Sequence, residues 1–436
     1  LTKVAVTVYA GGLVFQQVFG IKELWGIDFF WIAAIGLVVL TAIYTIFGGM
    51  KSVLYTSVLQ TPILLLGSLI ILVLGFKELG GWDEMMRVCG AVTVNDYGDT
   101  MTNLIRSNDD ANFPWLGALI GSAIIGFWYW CTDQFIVQRV LSGKNEKEAR
   151  RGTIFGAYLK LLPVFLFLIP GMIAFALHQK YIGAGGEGFL PMLANGTANA
   201  DAAFPTLVAK LLPAGVKGLV VCGILAALMS SLASLFNSSA MLFTIDFYKR
   251  FRPETPEKKL VGIGQVATVV IVILGILWIP IMRSVGDVLY TYLQDVQSVL
   301  APGIAAAFLL GVCWKRTSAQ GGMWGLISGM VIGLTRLGAK VYYSNAGEVA
   351  DSTFKYLFYD MNWLFFCGWM FLFCMIVVIV VSLTTKAPTA EKIQGLVFGT
   401  ATKEQKAATR VSWDHWDIIH TVIILSITAA FYWYFW

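Results

Sequence analysis

Apolar runs of about 20 residues recur along nearly the whole chain, and each is long enough to cross roughly 30 Å of hydrocarbon as an α-helix. Hydrophobic residues make up 57% of the 436 residues and charged residues only 13%. That is more apolar than a soluble protein of this length needs. Because backbone groups in hydrocarbon must be hydrogen-bonded within the chain, the runs are predicted to be helices. The strand alternation of an outer-membrane barrel is absent. The chain is therefore predicted to be an all-α membrane protein.

The runs predict about eleven transmembrane helices. Their approximate ranges are 1–20, 27–47, 53–76, 115–138, 153–178, 212–244, 261–283, 289–313, 318–337, 362–384 and 415–436. Loops rich in lysine and arginine follow the fourth, sixth, eighth and tenth predicted helices, and the alternating loops are poorer in these residues. Since positive loops face the cytoplasm, these basic loops are predicted to be cytoplasmic. The chain begins with Leu1 and carries no signal peptide, so we expect it to lack its natural N-terminus.

Polar residues inside two of these apolar runs carry the functional signal. The segment 121–139, GSAIIGFWYWCTDQFIVQR, holds a tyrosine, a carboxylate and amides. Such groups are costly in hydrocarbon and are kept where they face a cavity, a substrate or another helix. The segment 221–247 is rich in serine. Serine hydroxyls and backbone carbonyls are hard oxygen ligands that suit Na⁺. The alternative is that these serines bond their own helix or allow close helix packing, and composition alone favours that alternative.

Two further polar positions have a structural and a functional interpretation each. Lys160 lies within the fifth predicted helix, where it either snorkels back to the cytoplasmic surface or donates to a solute in a cavity. Gln294 precedes Asp295 early in the eighth predicted helix, where the amide either belongs to an interfacial turn or recognises a hydroxylated solute. The following Pro302-Gly303 pair is able to break that helix and free backbone carbonyls.

Taken together, several stretches resemble the sodium/solute symporter family, and within it the sodium/glucose cotransporter branch. The stretches that carry this resemblance are GGMKSVLYTSVLQT (48–61), WYWCTDQFIVQRVLSGKN (128–145), YLKLLPVFLFLIPGMIA (158–174), ALMSSLASLFNSSAMLFTIDFYKR (227–250) and YLQDVQSVLAPGIAAAFLLGVCWKR (292–316). The resemblance implies a LeuT-type core of two inverted repeats with peripheral helices, of which about eleven of about fourteen helices are present. Within one transmembrane domain, residues 1–76 would complete the first repeat, 115–313 would form the second, and 318–436 would be peripheral.

The resemblance also implies a sodium site. The carbonyl of Ala227 and the hydroxyls of Ser230 and Ser231 match its ligands, and the remaining ligands would come from helices outside this chain. Ser57 stands where many members have a carboxylate, and Ala233 replaces a hydroxyl residue found in some members that use a second sodium. We therefore expect one co-transported Na⁺ per solute.

The solute site is implied in the same way. Tyr129 matches the aromatic residue that closes the inner side of the sugar site, and Trp130 is its neighbour. Lys160 and Gln294 match positions that hydrogen-bond sugar hydroxyls. Amides, an ammonium group and aromatic rings together suit an uncharged polyol. Gly126 occupies a position where sugar-carrying members often have asparagine or threonine, which leaves the particular sugar open.

The implied function is a secondary active symporter that imports a hexose or related polyol with Na⁺ through the plasma membrane, or the inner membrane of a bacterium. The alternatives are a sodium symporter for inositol, a sugar acid, proline or a monocarboxylate, and a solute sensor that does not transport. No nucleophile–base or metal-spaced constellation appears, so an enzyme is not expected. The expected partners are the solute and the lipid bilayer; nothing indicates nucleic acid or an oligomeric state. A chain lacking the first helices is expected to be inactive by itself.

Overall fold

A computed structural model of the chain describes residues 2–193, 196–283, 289–345 and 350–435. The described chain is helical apart from turns, isolated bridges and one small hairpin, in which β1 (Glu23–Leu24) pairs antiparallel with β2 (Ile27–Asp28). The α-helices are α1 (Thr2–Phe19), α2 (Phe29–Leu79), α3 (Trp82–Gly90), α4 (Trp115–Cys131), α5 (Gln134–Leu141), α6 (Glu146–Pro163), α7 (Ile169–Gly183), α8 (Ala203–Leu211), α9 (Ala214–Met241), α10 (Lys249–Phe251), α11 (Glu257–Arg283), α12 (Leu289–Cys313), α13 (Ala319–Asn345), α14 (Thr353–Lys355), α15 (Trp363–Thr384), α16 (Ala390–Ile393), α17 (Lys403–Ser412) and α18 (His415–Tyr434). Segments of π-helix cover Val164–Leu168, Leu242–Tyr248 and Tyr356–Asp360, and a 3₁₀ turn covers Ala200–Ala202.

Seven helical stretches in the described chain are long and apolar enough to cross a bilayer, and the bent pair α4–α5 makes an eighth. The seven are Gln60–Leu79, Glu146–Gly183, Ala214–Phe251, Glu257–Pro280, Leu293–Cys313, Trp363–Thr384 and His415–Tyr434. The other predicted spans fall on α1, on Phe29–Ile43 and on α13, which are shorter or less apolar. The helical membrane fold is therefore confirmed, whereas the count of about eleven spans stays a prediction.

The two predicted helices at 27–47 and 53–76 are wrong as separate elements, because α2 runs without interruption for 51 residues. Gly48 and Gly49 stand at their predicted junction, and glycine weakens a helix without stopping it. Pro62 lies inside the same helix. Pro302 likewise lies inside the continuous α12, so the predicted break at Pro302-Gly303 is not seen. By contrast, a π-helical segment directly follows Pro163, where the missing N–H disturbs the ordinary hydrogen-bond ladder.

The chain forms two compact units. Unit 1 comprises Leu1–Thr93, Thr100–Thr102 and Lys160–Leu289, and unit 2 comprises Val94–Asp99, Asn103–Leu159 and Tyr290–Trp436. Unit 1 packs around apolar side chains of α2, α7, α8 and α9. Those at its centre are fully buried: Ile71, Ile173, Leu177, Leu207 and Val220. The predicted repeat boundaries at 76, 115 and 313 stay a prediction.

Unit 2 contains a stripe of glycines on one face of α13. Gly321, Gly325, Gly329 and Gly333 recur every fourth residue and therefore share one face of the helix. A Cβ at Gly325 would collide with Val378 of α15, and one at Gly329 would lie 2.9 Å from the Cα of Gly303 in α12. Small residues at this spacing let helix backbones approach closely in a membrane. The stripe thus packs α13 tightly against both α12 and α15.

Candidate sodium and solute site

The predicted sodium ligands lie on one face of α9 in unit 1. Ala227, Ser230 and Ser231 are three and four residues apart, a spacing that aligns side chains along a helix. Ser230 is buried, with 7% of its surface exposed, and Ala227 and Ser231 are half-buried. Ser234 behaves as the structural interpretation expects, because its hydroxyl donates to the Ser230 carbonyl at 3.0 Å within the same helix. The serine-rich run therefore contains both predicted sodium ligands and a serine that bonds to its own helix.

Ser57 of α2 faces this cluster. Its hydroxyl oxygen lies 2.6 Å from that of Ser230, so the two side chains share a hydrogen bond within unit 1. The pair is neutral, and no group of three or more His, Cys, Asp or Glu side chains that would hold a metal occurs among the described residues. A set of ligands made only of uncharged oxygens suits a hard monovalent cation that is bound reversibly. The hydrogen bond places Ser57, whose sequence context alone is unremarkable, beside the predicted ligands.

The apolar run at 115–138 is not one straight helix. It divides into α4 and α5, bent by 47° at Thr132-Asp133. The Trp128 carbonyl accepts from the backbone N–H groups of both Thr132 and Asp133 at 3.0 Å, and from the Thr132 hydroxyl at 2.7 Å. The Asp133 carboxylate then accepts from Phe135 N–H at 3.2 Å and caps α5. Asp133 thus helps to end α4 and to start α5.

The predicted solute residues of α4 share a face at the end of the helix that precedes the bend. Gly126, Tyr129 and Trp130 stand three and four residues apart. Tyr129 is half-buried and Trp130 is 50% exposed, whereas the intervening Trp128 is buried among Ile124, Ala301 and Cys367 of the unit 2 core. A Cβ placed on Gly126 would meet no atom within 4 Å in the described structure. The Gly126 face therefore has room for a larger side chain or a ligand.

Gln294 and Lys160 belong to different units. Gln294 is half-buried in α12 of unit 2 and donates to the Tyr290 hydroxyl at 3.1 Å, one turn earlier in the same helix. Lys160 is exposed near the end of α6 and is the residue at which the chain enters unit 1. The structure thus groups Gly126, Tyr129 and Trp130 on α4 and groups the sodium ligands on α9. A single solute site formed from Tyr129, Lys160 and Gln294 stays a prediction.

Sequence reasoning missed a charged cluster next to Gln294. Asp295 of α12 meets Lys340 and Arg336 of α13, with 2.6 Å between its carboxylate and the Lys340 ammonium. The sequence does carry a signal for it, because two cationic residues four apart in an apolar helix need an anionic partner. The partner itself lies 45 residues away, and the sequence does not indicate which carboxylate it is.

These features are those of a helical membrane protein, and comparison with known proteins identifies its family. Residues 1–329 match the sodium:solute symporter family, and the chain belongs to that family. It is a family of transporters, not of enzymes. The chain is 35% identical over 410 residues to the human (Homo sapiens) sodium/myo-inositol cotransporter 2, a match that covers 92% of this chain and 60% of that protein.

Two other relatives are similarly close. The bovine (Bos taurus) sodium/mannose cotransporter SLC5A10 is 34% identical over 455 residues, covering 100% of this chain and 75% of that protein. The mouse (Mus musculus) sodium/glucose cotransporter 4 is 34% identical over 410 residues, covering 92% of this chain and 59% of that protein. The chain thus spans about 60% of the length of the human relative.

A solved structure has the same fold. It is described as the substrate-bound outward-open state of a Na⁺-coupled sialic acid symporter that reveals a novel Na⁺ site. The two chains are 21% identical, with a TM-score of 0.63, over 89% of this chain and 74% of that one. The fold of this chain is therefore the LeuT-like fold of that symporter.

Proposed function

We propose that this chain is the larger part of a secondary active symporter that imports a hexose or related polyol together with Na⁺. The observation that carries the proposal is the oxygen-lined face of Ala227, Ser230 and Ser231 on α9, in a chain that belongs to the sodium:solute symporter family. The relatives named above for myo-inositol, mannose and glucose support a sugar or cyclic polyol as the solute. On this proposal the protein is a multi-pass plasma-membrane protein in which about eleven of about fourteen helices belong to this chain.

The proposed ratio of Na⁺ to solute rests on Ser57, the neighbour of the predicted sodium ligands. Ser57 offers a hydroxyl to Ser230 at 2.6 Å, where a carboxylate would add a full negative charge. Monovalent cations in a low-dielectric site are held strongly only when charge compensates for lost hydration. A neutral hydroxyl pair supports one weakly held ion, so we propose that one Na⁺ moves with each solute.

The solute would lie against the exposed face of α4. Trp130 and Tyr129 supply aromatic surface for the apolar face of a sugar ring, and the amide of Gln294 and the ammonium of Lys160 supply hydrogen bonds to its hydroxyls. An uncharged polyol needs no counter-charge from these groups. The chain bends at Thr132-Asp133, next to this face, and discontinuous helices are typical of transporter binding sites.

Sodium binding drives the cycle on this proposal. Na⁺ on α9 would stabilise the outward-open state, in which the solute site is complete. Release of Na⁺ to the cytoplasm would remove that stabilisation and allow Tyr129 to move away from the inner path. The conformational equilibrium shifts only by as much as Na⁺ prefers one state, which makes the sodium ligands the control point of transport.

Uptake into liposomes tests the proposal. The full-length protein is reconstituted, and entry of labelled glucose, mannose, myo-inositol, proline and lactate is followed with an inward Na⁺ gradient or an equal choline gradient. We expect Na⁺-dependent uptake of at least one hexose or cyclic polyol. Uptake that is equal in choline, or Na⁺-driven uptake confined to proline or lactate, would contradict the proposal.

A further inference from the structure

A group of three charges joins α12 to α13 within unit 2: Arg336 is buried, and Asp295 and Lys340 are half-buried. The Asp295 carboxylate accepts from the Lys340 ammonium at 2.6 Å and lies 3.8 Å from the Arg336 guanidinium. The side chains of Asp295, Lys340 and Arg336 are 15%, 23% and 1% exposed. Charges this far from water are kept only when they compensate one another, because each carries a desolvation cost of several kcal/mol. The cluster therefore ties Asp295 to α13 through one hydrogen bond, from Lys340, and one longer ion pair, with Arg336.

Arg336 gives the cluster a rigid base. Its guanidinium donates to the carbonyls of Met361 at 2.7 Å and Leu357 at 3.3 Å, and it lies 4.1 Å from the centre of the Phe366 ring. These partners belong to the π-helical segment Tyr356–Asp360, the residue after it, and α15. Cation–π contact and hydrogen bonding together leave this side chain little freedom. Arg336 is thus anchored to residues 357–366, and Lys340 makes the direct bond to Asp295.

The backbones of the two helices are also held together. A Cβ at Gly333, one turn before Arg336, would collide with the carbonyl oxygen of Val299 in α12, and the backbones meet again at Gly329 and Gly303. Contact at this distance permits little sliding of one helix along the other. The glycine contacts set the distance between α12 and α13, and the charge cluster sets the rotation of α12 about its axis.

The residue next to Asp295 is Gln294, the amide predicted to bind solute. Pro302 lies inside α12 and cannot donate to the Ser298 carbonyl, so the half of the helix that carries Gln294 is linked to the other half by a weakened ladder. The Val299–Gly333 backbone contact and the charge cluster then hold this half of α12 against α13. Gln294 itself is half-buried, and its amide donates to the Tyr290 hydroxyl one turn earlier in α12.

We propose that Asp295 is a positioning residue for solute recognition: Lys340 and Arg336 hold it, and through it they hold Gln294 in the orientation that meets the solute. This inference rests on the proposed function, in which Gln294 binds the solute. It extends the solute site to α13, a helix predicted to be peripheral, and gives that helix a part in specificity.

The test compares two lysine–aspartate pairs of unit 2. Lys340→Met removes the partner of Asp295, a carboxylate that is 15% exposed, whereas Lys355→Met removes the partner of Asp351, which is 95% exposed and lies 2.9 Å from Lys355. In the full-length protein we expect Lys340→Met to raise the solute KM at least roughly 10-fold, because the half-buried Asp295 carboxylate loses its hydrogen-bonded partner and keeps only Arg336, 3.8 Å away. The apparent Na⁺ affinity should change by less than about 2-fold, since none of the three charged residues is a predicted sodium ligand. Lys355→Met should leave both values unchanged.

Lys340→Arg keeps the positive charge and should restore most of the solute affinity, while general structural damage would not be rescued in this selective way. If Lys340→Met does not fold, Lys340→Arg and Asp295→Glu replace it in the comparison. Each of the two variants should then have a solute KM above that of the wild type and an unchanged Na⁺ affinity. Equal effects of Lys340→Met and Lys355→Met on KM, or a fall in Vmax and Na⁺ affinity without a change in solute KM, would overturn the proposal.

A second measurement separates this inference from the proposed function. Cysteine is placed at Gln294, and its rate of labelling by a membrane-impermeant thiol reagent is read by peptide mass spectrometry, without any solute or transport. We expect Lys340→Met to change this rate several-fold relative to Lys355→Met. An unchanged labelling rate would overturn the positioning role, even if Na⁺-driven uptake is found. An altered labelling rate would support the positioning role, even if no uptake of polyols is found.

Discussion

Removal of one hydroxyl from α9 provides the sharpest test of the sodium site. Ser230→Ala deletes a buried oxygen that lies 2.6 Å from Ser57 and shares a helix face with Ala227 and Ser231. The Cβ stays in place, so the change creates almost no cavity. On the proposed function, the variant removes one of the ligands to a bound cation.

The magnitude follows from the interaction that this substitution removes. A hydrogen bond or similar polar interaction with a charged group contributes about 1.5–3 kcal/mol. At about 1.4 kcal/mol for each factor of ten, removal of the Ser230 hydroxyl should weaken the apparent Na⁺ affinity roughly 10- to 150-fold. Folding should suffer less, because the Ser57–Ser230 bond is between neutral groups and contributes only about 0.5–1.5 kcal/mol.

The assay measures solute uptake into liposomes as a function of Na⁺ concentration, with solute held at saturation. Ser234→Ala is the matched control, because the Ser234 hydroxyl donates to the Ser230 carbonyl of its own helix. We expect Ser230→Ala and Ser231→Ala to shift the Na⁺ dependence to higher concentration, and Ser234→Ala to shift it by less than about 2-fold. Sodium dependence that is unchanged in both Ser230→Ala and Ser231→Ala would refute the assignment of the site.

Three further predictions concern the solute face, the glycine stripe and the outer loop. Gly126→Asn fills open space on the α4 face and adds a hydrogen-bonding group. It should therefore change the solute KM about 2- to 10-fold for some sugars of a panel and less for others. Equal shifts of KM for all sugars would argue against contact between residue 126 and the solute. Gly333→Ala should lower the free energy of unfolding by about 1–3 kcal/mol, because the added Cβ collides with Val299. Gly338→Ala is the control and should not lower it, because a Cβ at Gly338 enters open space. Thermal unfolding in detergent measures both variants. Asp110 titrates in the loop before α4: burial opposes its ionisation, but N–H donors from Phe113 and Asn112 and the nearby Arg106 outweigh burial and lower its pKa. A lowered pKa stabilises the folded loop at pH above the unfolded value of about 3.9, and this stabilisation is lost as the pH falls through the folded pKa. Hydrogen exchange at Asn112 and Phe113, whose N–H groups donate to Asp110, should therefore accelerate in acid, and Asp110→Asn should weaken that pH dependence.

Local pattern predicts the helical class because each apolar run carries its own signal. A run of about 20 residues is long enough to be recognised without reference to the rest of the chain. The same holds for the serine-rich α9, whose spacing already places Ala227, Ser230 and Ser231 on one face. The pairing of Ser57 with Ser230 joins residues 173 apart, and nothing in either segment indicates the other.

The breaks in the helices are harder to predict. Glycines at 48 and 49 and Pro302 suggest interruptions, yet α2 and α12 run through them. The real bend lies at Thr132-Asp133, which contains neither glycine nor proline, and it is formed by polar groups that compete for the Trp128 carbonyl. Side-chain competition with the backbone depends on local geometry, so composition alone does not locate it.

The charge cluster of Asp295, Arg336 and Lys340 escapes prediction for a third reason. The family resemblance implies a peripheral position for residues 318–436 and assigns no function to α13. The glycine stripe and two cations in an apolar helix do indicate a close neighbour of opposite charge. Their partner becomes evident only when α12 and α13 are seen side by side.

The coupling ratio tests the proposed sodium symport most directly. With the full-length protein in liposomes, the reversal potential of solute-coupled Na⁺ flux is measured at defined gradients of both Na⁺ and a transported polyol. The neutral Ser57–Ser230 pair on the sodium face predicts one Na⁺ per solute. A ratio of two, or solute flux that does not respond to the Na⁺ gradient, would contradict it.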